Sequence, residues 1–573
     1  MVADRGTTSR MRSLLLLATL SLLPTSYLRG QPEQAAPGPD LVIIGPVLTL
    51  DESRPRASGL VIDAGRILKI TDAASAYAAA GPGTRIVEVP ASGVAMPGII
   101  DSHAHLRGVG TAMRQLDLRG VESPAAAAAR VKEWCAELPK DAWVVGRGWS
   151  QELWEGKEFP DRETLDLVCG GRPCALRRTD GHAVWVSSRT LELAGISQGA
   201  PNPAGGEIIR DAKGRVTGVL VDKAMDLIER VMPREDDPDE IAADLEAAQE
   251  EALRLGITTF VDAGADPATL RRLADLYSAK RMKLRVHAMV SVDDEASASQ
   301  VFAGPPILSA YDDRFSVRAI KLYADGALGS RGAWLLDSYA DRADHQGFAI
   351  LQPAFIEDVA RRALKLGYQV CTHAIGDRGC RETLDAYERA LDATGSHGLD
   401  HRFRIEHAQI LSREDIPRFK KLRVIPSMQG CHCTSDGPWV PDRIGDQRAV
   451  GAYAWRALID AGCIIPNGTD SPVESLSPWR NLFSTTTRFM DLPNGKREAF
   501  YPRQRMNRHE ALLSLTYWGA QGSFTDDRRG KLRPGFQADV VVINRDPIKC
   551  SAWHMSRIGV VATIVAGEVV YEK

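Results

Sequence analysis

A chain of 573 residues, 44% hydrophobic and 25% charged, has ample apolar surface for a buried core and is long enough for more than one folded unit. Its 50 Gly and 32 Pro follow no period, which excludes collagen-like and low-complexity chains, and a disordered chain would have fewer apolar residues and more net charge. Lys plus Arg total 71 against 74 Asp plus Glu, a net charge of −3, so the charge balance gives no case for nucleic acid as a partner.

Arg5, Arg10 and Arg12 precede an apolar run from Leu14 to Leu23. This order reads as an export signal within residues 1–30, giving a periplasmic or secreted protein; the alternative is the disordered tail of a cytoplasmic one. The run is too short for a comfortable bilayer crossing, so no stable membrane span is expected. The nine Cys are odd in number and lack a framework spacing. Cys169 and Cys174 flank Gly-Gly-Arg-Pro and would close a small loop only in an exported chain. Cys431-His432-Cys433 falls two ligands short of a structural zinc site.

Residues 38–97 hold short β-rich runs such as Leu41–Ile44, Gly59–Ile62 and Arg66–Ile70, and residues 520–573 repeat that texture. Two all-β pieces at opposite chain ends predict one β-sandwich domain. Between them, residues 98–519 alternate apolar strands with helical stretches such as Glu357–Leu366 and Arg381–Ala393. Eight strand candidates begin near Gly98, Ile257, Leu284, Val317, Gln369, Phe403, Arg423 and Cys463. Eightfold alternation predicts an α/β fold, a (β/α)8 TIM-like barrel. A large insertion at about 107–255 follows the first strand and carries its own strand candidates, Ala142–Gly148 and Cys174–Arg178.

In a parallel barrel, reactive side chains project from the C-terminal strand ends. The first candidate strand ends in His103-Ala104-His105, whose spacing puts both imidazoles on one side. Lys321 interrupts the apolar fourth strand. Pointing inward it pays for desolvation, by a depressed pKa or by reacting with CO₂ to give a carbamate; the alternative is a lysine that points outward or pairs with a carboxylate. His373 and His407 end strands five and six, and Asp470 follows strand eight. Each alone has a structural explanation as a core histidine or a turn aspartate. Together the six, on five strands of one barrel, point to a metal site.

Pro97-Gly98-Ile99-Ile100-Asp101-Ser102-His103-Ala104-His105, with Lys321, His373, His407 and Asp470 in that order, resembles the amidohydrolase superfamily. Lys321–Ala333, His373–Arg378 and Arg178–His182 resemble its branch that includes the N-substituted formamide deformylases. Gly430, followed by Cys431 and His432, stands where that branch leads one to expect Pro. The resemblance implies that His103, His105 and Asp470 hold one ion, that His373 and His407 hold a second, and that Lys321, as N6-carboxylysine, bridges them. Imidazole and carboxylate donors suit one or two divalent ions, Zn²⁺ first, with Mn²⁺ or Fe²⁺ as alternatives. The implied activity is hydrolysis of an amide or related C–N bond in a small-molecule substrate. Asp470 is then the proton shuttle and His182 a polariser of the carbonyl oxygen. Trp149, Asp180, Asp325, Arg331, Gln429 and His432 are candidate substrate contacts. Trp143, Trp149, Trp154 and Trp185 either wall a pocket or form the insertion's own core. Lactone or phosphoester hydrolysis on the same site, and a non-catalytic binding barrel, are the competing readings. Oligomeric state is left open, a homo-oligomer included.

Overall fold

The computed structural model describes residues 38–232, 237–490, 492, 496 and 498–573. The expected export signal lies outside the described residues. Among them, no helix is long and apolar enough to cross a membrane.

Eight parallel strands form the central sheet: β1 (Ile99–Ala104), β2 (Ile257–Ala265), β3 (Arg285–Ser291), β4 (Phe315–Tyr323), β5 (Gln369–Ala374), β6 (Arg404–His407), β7 (Ile425–Gln429) and β8 (Asn467–Gly468). They pair in chain order from β1 to β8, and a short strand, Ile307–Ser309, adds to β4 from outside that order. β8 has two residues, not the longer run expected from Cys463, because Pro466 has no N–H to give a ladder. The cylinder closes just beyond it. The Asp470 N–H donates to the His103 carbonyl at 2.7 Å, and the His105 N–H donates to that of Ser471 at 2.8 Å. Gly468 permits this approach, since a Cβ there would lie 2.4 Å from the His103 nitrogen.

The helices cover the outside of the barrel for the usual amphipathic reason. Pro353–Leu366 buries Ile356, Val359, Ala360, Ala363 and Leu364, an i, i+3, i+4, i+7, i+8 stripe, and stops at Gly367 in the left-handed region. This apolar layer is continuous from β1 through Leu512 and Leu515. At about 25 cal/mol per Å² of apolar surface it supplies the main term holding the barrel closed.

Strands from both chain ends do meet, in one eight-stranded sheet. Val94–Pro97 pairs through Ala95 with Val47 on one side and with Val540–Ile543 on the other, so the two ends share a single hydrogen-bonded sheet. Leu41, Ile43, Leu60, Ile62, Val540, Val542 and Ile564 form its own core, while Val541, Ile543 and Val560 face the barrel layer.

The insertion builds a six-stranded sheet, four strands more than the sequence suggested. Trp149, Trp154 and Trp185 are buried together in its core, with Trp149 stacked on Trp154 at 5.7 Å between ring centroids. Trp143 packs against a neighbouring cluster of the same sheet. Cys169 and Cys174 are buried free thiols, so the loop between them is not closed by a disulfide. Cys431 and Cys433 are likewise free and buried, in the helix Gly430–Asp436.

Candidate metal centre

The C-terminal strand ends converge on Asp470. Its Oδ1 lies 3.4 Å from His103 Nε2 and 3.2 Å from His105 Nε2, and its Oδ2 lies 3.4 Å from His432 Nε2. Two triads, His103–His105–Asp470 and His407–His432–Asp470, each bring their ligand atoms within 4.8 Å of one another. The His373 ring centroid is 4.5 Å from that of His407. His407 and Asp470 hold left-handed backbones, with φ of +71° and +55°. Such conformations cost on the order of 1 kcal/mol or more for a residue with a Cβ, and they persist where surrounding structure imposes them.

The unsatisfied atoms are the strongest feature of the site. His103 Nε2, His373 Nε2, His407 Nδ1, His432 Nε2 and Asp470 Oδ1 are all buried without a hydrogen-bond partner. Each such atom costs about 1–3 kcal/mol if left bare. A set of lone pairs from imidazole and carboxylate around one carboxyl group fits a divalent cation better than any other occupant. Burial pushes the Asp470 carboxyl up, but His103 and His105 outweigh it and hold it well below the usual carboxylate range. Burial also pushes His373 and His407 well below the ordinary histidine value. The carboxylate is therefore ionised and these imidazoles neutral, the states a cation requires.

A second layer orients these donors. His103 Nδ1 lies 2.6 Å from Glu406 Oε2, and Glu406 also pairs with Arg404, whose Nε is 2.6 Å from Oε1. Burial raises the Glu406 carboxyl, but Arg404 and His103 win and bring it down to about 2. Asp101 accepts from the Thr469 N–H at 2.9 Å and its hydroxyl at 2.6 Å, tying the loop that carries Asp470 to β1. Glu406 and Arg404 were not among the sequence candidates. Their signal was two opposite charges, two apart, in the buried strand Arg404–His407, where neither side chain is tolerated without a partner.

Lys321 points into the barrel, not outward between helices. It is 1% exposed, with Nζ 4.8 Å above the Tyr323 ring centroid. Burial lowers its pKa, while Glu406 and Asp470 act in the opposite direction.

A cavity of about 1030 Å³ opens over these strand ends, and Lys321, His105, His373, His407, His432 and Asp470 all line it. The insertion supplies the facing wall with Asp180 and His182. His182 Nδ1 is 2.6 Å from Asp222 Oδ1. Burial opposes charge on this ring, but Asp222, then Asp180 and Asp325, raise its pKa overall. Asp180 pairs with Arg178 at 2.5 Å and accepts the His182 N–H at 3.0 Å, so it shapes the loop as well as the wall.

Four of the sequence candidates for substrate contact lie elsewhere. Trp149 is fully buried in the insertion core, its Nε1 donating to the Leu176 carbonyl at 2.7 Å. Asp325 is fully buried and accepts the N–H groups of Trp334, Ile375 and Gly376; burial outweighs those donors and raises its carboxyl to about 7. Arg331 pairs with Asp341 at 3.0 Å, outside the cavity. Gln429 is buried at the end of β7 and does not line it. A charged or aromatic residue in a motif is satisfied by the nearest complementary backbone or side chain, and for Trp149, Asp325 and Arg331 that partner is internal, whereas Gln429 Nε2 is buried without one. His432 lines the cavity but sits among the ligand atoms, closer to Asp470 than a substrate contact would need to be. Gly430 explains the departure before it: a Cβ there would lie 2.7 Å from Thr485 Cγ2.

The sequence and fold have counterparts. The chain is 32% identical over 543 residues to LONG AFTER FAR-RED 3 of Arabidopsis thaliana, covering 93% of this chain and 91% of that one. It is 27% identical over 549 residues to the N-substituted formamide deformylase of Arthrobacter pascens, covering 93% and 98%. The crystal structure of an uncharacterized metal-dependent hydrolase from Pyrococcus furiosus superposes with a TM-score of 0.68 at 28% identity, covering 89% of this chain and 100% of that one. The model of the amidohydrolase family matches residues 92–571, and the chain belongs to that family.

Proposed function

We propose that this protein is a metal-dependent hydrolase that cleaves an amide or related C–N bond of a small molecule. The observation that carries the reading is the set of five buried, partnerless donor atoms around Asp470. Similarity to an N-substituted formamide deformylase supports the choice of C–N bond. His103, His105 and Asp470 would hold one ion and His373 and His407 a second, with His432 an additional donor at Asp470 Oδ2. Lys321 would join them as a carbamate, formed when its neutral amine adds CO₂ and loses a proton. Zn²⁺ is the ion this donor set suits best. Such an ion, when bound, lowers the pKa of water toward neutrality and polarises a carbonyl oxygen.

The chain's own residues do the rest. Asp470, ionised at neutral pH, takes the proton of the attacking water and returns it to the leaving nitrogen. His182, with Nδ1 committed to Asp222, presents Nε2–H to the developing oxyanion. The insertion wall limits water around the substrate.

Metal-loaded protein assayed on matched amide, lactone and phosphoester panels tests the reading. Amide turnover abolished by a chelator and restored by Zn²⁺ is the expected result. Turnover of lactones or phosphoesters alone would replace it. Less than one equivalent of metal in protein prepared without chelator would favour a binding barrel instead.

A further inference from the structure

We propose that Arg147 binds a carboxylate carried by the substrate, so that the amide cleaved is an anionic one; this rests on the amide-hydrolase reading above. Arg147 lies in the insertion strand Val144–Trp149 and lines the cavity shared by His105, Lys321 and Asp470. A guanidinium has five N–H donors. Here Nη2 donates to the Thr179 carbonyl at 3.2 Å, while Nε is buried with no partner. Among the described residues no carboxylate comes within 4 Å of it. Its neighbours in the same wall are served: Arg119 by Asp117 at 2.8 Å, Arg177 by Glu229 at 2.5 Å and Arg178 by Asp180 at 2.5 Å.

Arg147 as a whole is half-buried, but its Nε is shut away from solvent without a partner, and a donor left in that state is costly unless a ligand supplies the acceptor. Burial, followed by the like charge of Arg177, brings the Arg147 guanidinium down to about 10, so it stays protonated at neutral pH. The planar fork matches a carboxylate through two parallel hydrogen bonds. The ligand is a monoanion because Asp180, Asp222, Asp293 and Glu474 also line the cavity and would repel a phosphate dianion.

N-formylphenylalanine and N-formylphenylalaninamide differ only in carboxylate against carboxamide and separate the outcomes. In wild-type protein the acid is expected to have a KM lower than the amide by roughly 10- to 100-fold. Arg147→Met collapses that preference toward unity, and Arg147→Lys restores part of it. Metal content and Tm of each variant verify that the fold is kept. Equal KM values for the two compounds in wild type, or an unchanged preference in Arg147→Met, overturn the inference while amide hydrolysis stands. If neither compound is hydrolysed, calorimetric binding still decides it. Tighter binding of the acid than the amide, lost in Arg147→Met, supports the carboxylate site, and equal binding refutes it.

Discussion

His103 Nδ1 stands 2.6 Å from Glu406 Oε2, and neither side chain is exposed at all. The hydrogen bond fixes the tautomer and leaves Nε2 as the lone pair that faces Asp470. Glu406 is also the partner of the buried Arg404, so one carboxylate serves both the candidate metal site and the barrel interior. Glu406→Gln is therefore expected to weaken metal binding about 10- to 100-fold and to destabilise the fold by about 3–5 kcal/mol. Chelator competition measures the first and denaturant unfolding the second. Unaltered metal affinity would show that His103 is oriented by the backbone alone.

Asp470→Asn keeps the shape of the side chain and removes its charge. The four imidazoles grouped with it are positioned independently of its charge, His103 and His105 by the end of β1, His407 by β6 and His432 by the helix after β7, so a bound ion should be largely retained. Turnover is expected to fall by several orders of magnitude because Asn cannot accept and return a proton. Elemental analysis beside steady-state kinetics checks both. Near-normal kcat with full metal content would remove Asp470 from the proton transfers.

Lys321→Ala removes the side chain that would carry the bridging carbamate. The expected result is one fewer ion per chain, with activity partly rescued by short carboxylic acids that supply oxygen donors in its place. Unchanged metal content would make Lys321 a packing residue, held by Tyr323 and by the charges of Glu406 and Asp470.

The clustering of these His, Lys and Asp side chains at one end of the barrel was legible in the sequence because strand ends impose a rule. An apolar run that stops at His, Lys or Asp marks a position, and five strands repeating it mark a rim. Glu406 and Arg404 obey a different rule, charge inside a buried strand, which becomes visible only when the partner is known. His432 was legible as a cavity residue but not as a ligand neighbour, since it lies on the helix after β7 and its reach depends on the tight packing at Gly430. Trp149 and Arg331 show the opposite failure. Their motif positions drew attention, but internal partners at Leu176 and Asp341 absorb them. The joining of the two chain ends was readable from matching β texture, whereas the single sheet depended on Val94–Pro97 having two pairing edges in use.

Asp222→Asn tests the His182 pair without touching the metal donors. Asp222 supplies the charge that keeps His182 a donor toward the cavity, so kcat is expected to fall by about 10²-fold or more, with a smaller effect on KM. A rise in KM alone would place His182 in ground-state binding instead.

His401 gives the stability profile a predictable acid limb. It is 4% exposed, its Nε2 donates to the Leu422 carbonyl at 3.0 Å, and its Nδ1 accepts the Phe403 N–H at 2.9 Å. The second bond requires the neutral ring, because protonation of Nδ1 removes its acceptor; the first survives protonation. Burial lowers its pKa to about 4, against about 6.5 in the unfolded chain. The unfolded state thus binds the proton more readily. The contribution is complete above pH 6.5, and it is lost as pH falls from there toward 4. Below 4 it changes no further. The shift corresponds to about 3 kcal/mol at most. His401→Gln offers an uncharged amide to the same two partners and should flatten the stability profile between pH 6.5 and 4 relative to wild type, as read by denaturant midpoints at several pH values. The difference between the two proteins isolates His401 from the other buried histidines, and parallel profiles across that window would mean that His401 does not stay neutral in the folded chain.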